Sequence, residues 1–231
     1  MSPLIEVRGL RYRYEDGTDA LRGIDFTVYP GETVVLLGAN GSGKTTFLLH
    51  LNGLLQGEGS VRVCGMDVSP RNFREVRSKV GMVFQDADEQ LFMPTVLDDV
   101  AFGPLNQGFP AEEAAARARS ALARVGLGDI EHRAPYHLSA GEKRRAALAG
   151  VLAMEPEILV LDEPTTYLDP PAQRNLIGLL VSLPQAKVVA THDVRFAAAL
   201  ATRAVFFDKG RVAKEGNLDE IVELFQWDWG T

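Results

Sequence analysis

The chain has 231 residues, 46% of them hydrophobic, and a formal net charge of −7. The acidic balance argues against a nucleic-acid partner, which draws on clustered Lys and Arg, and the apolar content is enough for a folded core. No apolar run reaches the roughly 18–20 residues that span a bilayer. Residues 1–8 carry Glu6 and Arg8 where a signal peptide would be apolar. The single cysteine, Cys64, cannot close an internal disulfide. These features predict a cytoplasmic chain in a reducing compartment, with Cys64 a buried structural thiol, that serves any membrane process through a partner.

The first third reads as β-rich. Leu4-Ile5-Glu6-Val7-Arg8 is a short strand, and Ile24-Asp25-Phe26-Thr27-Val28-Tyr29 alternates apolar and polar residues as a strand with one wet face does. Residues 11–18, between the two, hold Tyr12 and Tyr14. An aromatic here either stacks on a base or packs on the strand edge. Thr33-Val34-Val35-Leu36-Leu37 is a buried strand that runs into Gly38-Ala39-Asn40-Gly41-Ser42-Gly43-Lys44-Thr45. That stretch matches G-x-x-x-x-G-K-[ST], and Thr45-Thr46-Phe47-Leu48-Leu49-His50-Leu51 follows as a helix with an apolar face. Glycines let the loop curl around an anion, and the helix start adds its positive dipole end. Lys44 can place a charge at the β/γ-phosphates, and Thr45 can offer a hydroxyl to Mg²⁺.

Residues 57–65 read as a turn and strand, 71–79 as a surface helix with a solvated basic face, and 79–84 as a strand ending at Gln85-Asp86. From 90 to 150 the character is helical. One helix covers 111–125 and stops at Gly126 and Gly128. A second opens at Leu138-Ser139-Ala140-Gly141, where Lys143-Arg144-Arg145 read as its wet face. Residues 157–161, Glu157-Ile158-Leu159-Val160-Leu161, are almost wholly apolar, which suits a strand covered on both faces. Lys187-Val188-Val189-Ala190-Thr191 is another strand, and 204–214 a hairpin turning at Lys209-Gly210.

Chemistry-bearing residues sit at strand ends. Asp162 and Glu163 follow the 158–161 strand, so Asp162 can serve a metal while Glu163 faces the γ-phosphate and accepts a proton from water. His192 ends the next strand and can hold that water or a phosphate oxygen. Gln85 can reach metal or water through its amide. Leu138-Ser139-Ala140-Gly141-Glu142 has the look of a second anion site on a helix start, far along the chain from the first. A head-to-tail pair of chains could bring the two together.

In this order, the motifs resemble those of the ATP-binding-cassette (ABC) ATPases, over about residues 4–223. Residues 38–45 are similar to Walker A and 158–164 to Walker B with its glutamate. Residues 138–142 look like the signature, Gln85 the Q-loop, Leu168-Asp169 the D-loop, His192 the switch histidine and Tyr14 the adenine-stacking aromatic, ahead of Tyr12. The resemblance implies one α/β domain. Its P-loop NTPase (RecA-like) core with an antiparallel β subdomain would take residues 1–89 and 151–231, and an inserted α-helical signature subdomain residues 90–150. It implies ATP and Mg²⁺ as cofactors. The nucleotide would be held by Tyr14, Gly38, Asn40, Gly41, Ser42, Gly43, Lys44, Thr45, Thr46, Ser139, Gly141 and Asp169. The metal would be held by Thr45, Gln85 and Asp162, and catalysis carried by Glu163, His192 and Gln85. The implied partners are a second cassette, as a homodimer, and integral membrane coupling or permease subunits, with the chain peripheral on the cytoplasmic face of the cell membrane.

Phe84-Gln85-Asp86-Ala87-Asp88-Glu89-Gln90-Leu91-Phe92 and residues 138–145 further resemble the ATPases of energy-coupling-factor importers, including cobalt/nickel systems. The alternative within the family is a soluble ABC ATPase of repair, translation or cofactor assembly. Three departures carry expectations. Ala140 would be strained if the backbone there needs φ > 0. Glu142 puts an acid beside a phosphate site. Tyr167 is bulkier than the small residue usual before Leu168-Asp169. Trp227 and Trp229 are expected to pack back on the core or join a partner surface.

Overall fold

A computed structural model describes residues 2–227. Two sheets meet in it. In the antiparallel one, the order is β2 (Asp19–Val28), β1 (Ile5–Arg13), β4 (Glu58–Val63), β5 (Met66–Asp67). The larger runs β10 (Arg211–Gly216), β9 (Arg203–Asp208), β3 (Thr33–Leu37), β8 (Ala186–Ala190), β7 (Ile158–Asp162), β6 (Val80–Val83). All its neighbours are parallel except the β9–β10 hairpin.

Period two decides how the layers stack. Every residue of β3, β7 and β8 is buried. In β3, Val34 and Leu36 join a core with Ile5, Val7 and Phe26 of the antiparallel sheet and Phe47 of α1 (Lys44–Leu51). Val35 and Leu37 face the other way, into a core shared with helices. These include α3 (Val96–Gln107), α4 (Ala111–Arg124), α5 (Ala140–Leu152), α6 (Pro170–Ser182), α7 (Val194–Leu200) and α8 (Leu218–Leu224). The parallel sheet is therefore covered on both faces, which is why its central strands are almost wholly apolar, with Thr33, Lys187 and the strand-end Asp162 the exceptions in β3, β8 and β7.

Several expectations change. β1 and β2 are longer than read, because register shifts after Val7 and Tyr12 let the ladder continue past polar residues. Only residues 14–18 form the turn, closed by the Tyr14 N–H to the Thr18 carbonyl at 3.0 Å. Cys64 is half-buried in the turn between β4 and β5, not inside a strand. The basic face of α2 (Phe73–Lys79) is exposed as expected, and Arg77 in addition donates to the Asn52 and Gly53 carbonyls at 3.1 and 3.2 Å. Ala140 begins α5 and is not among the residues with positive φ, so the expected strain is absent. Trp227 packs back, its ring 5.4 Å from Phe206, which also stacks on Phe225 at 3.8 Å. Trp229 lies outside the described residues.

Candidate nucleotide site

Sheet register puts the chemistry on one edge. Leu36 pairs with Ala190 and Asp162 with the same Ala190, while Val83 pairs with Leu161. The loops after β3, β6, β7 and β8 thus leave side by side at the carboxyl edge, where open α/β sheets take ligands. A cavity of about 480 Å³ opens there. Of the expected residues, Tyr14, Asn40, Gly41, Gly43, Lys44, Thr45, Thr46, Gln85, Glu163 and His192 line it. Gly38, Ser42 and Asp162 are not in its lining; Ser42 and Asp162 are buried.

The loop 38–43 is held by close approach. A Cβ at Gly38 would overlap the Phe207 carbonyl, and one at Gly43 would meet the Ala20 carbonyl oxygen at 2.7 Å; both have positive φ, 138° and 106°. No side chain caps α1, so its first N–H groups are left for an anion. Lys44 is buried, with Nζ donating to the Gly38 and Ala39 carbonyls at 2.6 and 3.2 Å. Burial lowers its pKa, and the charges of Glu163 and Asp162 oppose that shift.

The Tyr14 hydroxyl sits 2.9 Å from Thr46 Oγ1, with the ring on the cavity wall. Tyr12 instead packs edge-on between Tyr14 and His50, at 5.0 and 4.9 Å. The aromatic left open by sequence is therefore divided: Tyr14 lines the site and Tyr12 supports it.

Glu163 directly follows β7 with φ of 42°, and its N–H donates to the Ala190 carbonyl at 2.9 Å. Its Oε2 accepts from His192 Nδ1 at 2.8 Å and from the His192 backbone N–H at 3.3 Å. A carboxylate acceptor assigns a ring proton to Nδ1. Burial pushes the Asp162 carboxyl pKa up; Thr45 hydrogen bonding and the nearby Lys44 and Arg144 oppose this, while Glu163 adds to it. Asp162 Oδ1 and Ser42 Oγ are both buried with no hydrogen-bond partner. Among the described residues no group of three or more His, Cys, Asp or Glu could hold a metal by itself. One orphaned carboxylate oxygen beside the Thr45 hydroxyl fits a hard cation that takes its other oxygens from phosphate and water.

Besides Gly38, Ser42 and Asp162, the expected residues Ser139, Gly141 and Asp169 are also absent from this cavity's lining. Ser139 and Asp169 are helix caps. Asp169 accepts the Ala172 N–H at 2.8 Å at the start of α6. Ser139 forms a capping box with Glu142 at the start of α5. The two helix starts abut, since a Cβ at Gly141 would lie 3.2 Å from that of Ala172. The cavity also has lining that sequence reasoning missed: Thr18, Asp19, Ala20 and Thr166. The first three follow Tyr14 across its turn, so the hairpin that carries one carries all. The basic triplet of α5 is split: Arg144 is only 3% exposed, whereas Lys143 and Arg145 stay partly exposed.

A larger groove, about 1290 Å³, lies elsewhere, between α2, β6, α3 and α5. Arg71, Arg74 and Arg77 line it together with Phe92 and Phe102, which are 62% and 40% exposed and meet edge to face at 5.2 Å.

A glycine loop feeding a helix start, with acids and a histidine at the neighbouring strand ends, defines a P-loop nucleoside-triphosphatase. The family model of the ABC transporter matches residues 21–166. The chain belongs to that family and is an ABC transporter ATPase subunit, an enzyme that binds and hydrolyses ATP. The energy-coupling factor transporter ATP-binding protein EcfA of Methanothermobacter thermautotrophicus is 47% identical over 224 residues, covering 94% of this chain and 72% of its own. The structure of cbiO1 from Clostridium perfringens, part of the ABC transporter complex cbiONQ, superposes with a TM-score of 0.86 at 36% identity, over 96% of this chain and 92% of that one. A dimeric bacterial ABC transporter cassette superposes with a TM-score of 0.83 at 28% identity, over 93% and 98%; it has also been solved in a post-hydrolysis state with ADP and Pi.

Proposed function

We propose that this chain energises a membrane importer of the energy-coupling-factor type, with a transition-metal ion such as cobalt or nickel, or a vitamin, as cargo. In this reading it works as a head-to-tail homodimer with ATP at the interface. The observation that carries the dimer is the separation of two phosphate-type helix starts. The Lys44 end of α1 and the acids line one cavity, while Ser139 and Gly141 stand outside it. A second copy supplies what one chain lacks. The dimeric relative supports the same reading. The groove beside α2 and α3, with two exposed phenylalanines and a lining of mixed charge, suits an amphipathic coupling helix of a membrane partner. Among the described residues no helix is long and apolar enough to cross a membrane, so the partner provides the path, from a peripheral position of this chain on the cytoplasmic face.

Glu163 accepts a proton from water as its oxygen attacks the γ-phosphorus and the bond to the ADP oxygen breaks. His192 holds the Glu163 carboxylate through Nδ1, which leaves the other carboxylate oxygen toward the cavity. Lys44 exchanges its loop carbonyls for phosphate oxygens. Tyr14 stacks on the base. Asp162, Thr45 and Gln85 would hold Mg²⁺, which neutralises phosphate charge when bound. Ser139 and Gly141 of the second copy meet the γ-phosphate.

Glu163→Gln tests this reading. The variant should lose ATP turnover by at least 100-fold, as expected when a general base is removed, and should run as a dimer with ATP and as a monomer without it. Retained turnover would remove Glu163 as base; a monomer under all conditions would remove the dimer.

A further inference from the structure

We propose that Arg144 couples the two nucleotide sites of the dimer. It fastens the signature turn, which serves the partner's nucleotide, to Gln85, which serves the chain's own. The inference rests on the head-to-tail reading above.

Arg144 lies on α5, five residues beyond Ser139. Its Nη1 donates to the Phe84 carbonyl at 2.5 Å and its Nη2 to the Gln85 carbonyl at 2.6 Å. The guanidinium is buried, its Nε has no hydrogen-bond partner, and among the described residues it has no carboxylate within ion-pair distance, although the charges of Asp86 and Asp162 act on it from further off. A buried cation with no carboxylate in direct contact is costly, and those more distant charges offset burial only in part. A methionine would fill similar space without that cost, so packing alone does not explain the charge. What the arginine adds is a planar fork that grips two successive carbonyls at once.

The gripped segment is stiff. The Phe84 N–H donates to Gln90 Oε1 at 2.9 Å, and Gln90 Nε2 donates to the Met82 carbonyl at 3.1 Å. Asp86 accepts the Asp88 N–H at 2.9 Å. A second tie runs outside the first: Lys143 Nζ donates to Asp88 Oδ1 at 2.6 Å. At most about one and a half helical turns of α5 thus separate the residues that would meet the partner's γ-phosphate from two grips on the Gln85 segment. A helix this short moves as a rod. Drawing Ser139 toward the partner's phosphate displaces Gln85 in the chain's own site. That gives the coupling two distinct sites and one shared element. Occupancy of one site then prepares the other, and ATP hydrolysis depends on ATP concentration with a Hill coefficient above one and up to the number of sites.

The test measures ATPase rate against ATP for the full chain and three variant sets, with folding checked by thermal melting. Wild type should be cooperative. Arg144→Met should have a Hill coefficient of one, while the dissociation constant of a fluorescent ATP analogue, measured on dilute monomer, stays within about twofold. Arg144→Lys, which keeps charge but loses the fork, should fall between. If the buried variants do not fold, the exposed pair decides: Asp88→Lys should lower the Hill coefficient, and Asp88→Lys with Lys143→Asp should restore it. Cooperativity equal to wild type in Arg144→Met or in Asp88→Lys overturns the coupling role, even where Glu163→Gln still dimerises with ATP. A wild type without cooperativity overturns it too, and if Glu163→Gln also stays monomeric the dimer reading falls with it.

Discussion

Glu142 Oε2 accepts both donors that Ser139 has to give, the backbone N–H and the hydroxyl, each at 2.8 Å. The carboxylate therefore sits where the signature turn would receive a γ-phosphate. Its pKa is lowered first by the Ser139 N–H and then by the hydroxyl, with Arg133 adding to this. The acid occupies the two donors that an incoming anion would use at this turn. Neutralising it should help ATP close the dimer. Glu142→Gln keeps the acceptor and removes the charge. Half-exposed charge effects are worth about 0.3–1 kcal/mol, so the apparent KM for ATP should fall roughly two- to fivefold, with the difference shrinking in high salt. Steady-state kinetics at two ionic strengths would decide it; a higher KM would mean that the capping box matters more than the charge.

Tyr167 has φ of 66° and is 82% exposed. A bulky side chain in the left-handed region costs about 1–2 kcal/mol, and so exposed a ring has little packing to offset it. Tyr167→Gly relieves that cost but adds unfolded-state freedom worth about 0.4–1 kcal/mol. The net should be a gain of up to about 1.6 kcal/mol, centred at about 0.8, or roughly 2–3 °C in melting temperature for a chain of this size. Calorimetry would read it, and a lower melting temperature would show that the ring is held by contacts after all.

The P-loop, the buried strands and the acids were legible because each is a local pattern. An apolar run of five specifies a strand covered on both faces, and a glycine loop before a helix specifies an anion site wherever the chain goes. Arg144 was not legible, because a basic triplet is normally a wet face. Here Ala146, Ala147, Leu148, Ala149, Val151 and Leu152 are all buried, so α5 runs through the interior and has little wet face to offer. Tyr12 and Tyr14 could not be separated either, because residues two apart on a strand share a face. What separates them is that Tyr12 stays in the ladder opposite Leu21, whereas Tyr14 begins the turn. The positive φ of Glu163 has no signal in the sequence at all, since nothing but glycine announces that conformation.

His50 is 1% exposed, and its Nδ1–H donates to the Thr46 carbonyl at 2.7 Å while Nε2 is buried without a partner. A second proton on Nε2 would create a buried charge with no acceptor. Burial accordingly lowers the pKa below its ordinary value, and the Thr46 carbonyl only partly offsets this. The unfolded chain, with an imidazole pKa of about 6.5, takes up the proton first as pH falls. This group's contribution is therefore complete above about pH 6.5 and is lost as pH falls through the folded value. Melting temperature should drop between pH 7 and pH 5, before most carboxylates titrate. In His50→Gln, whose amide can donate to the same carbonyl but does not titrate, that drop should be smaller, although the variant starts from a lower melting temperature because the ring also packs against Tyr12. An equal drop in both proteins would assign the acid sensitivity to another group.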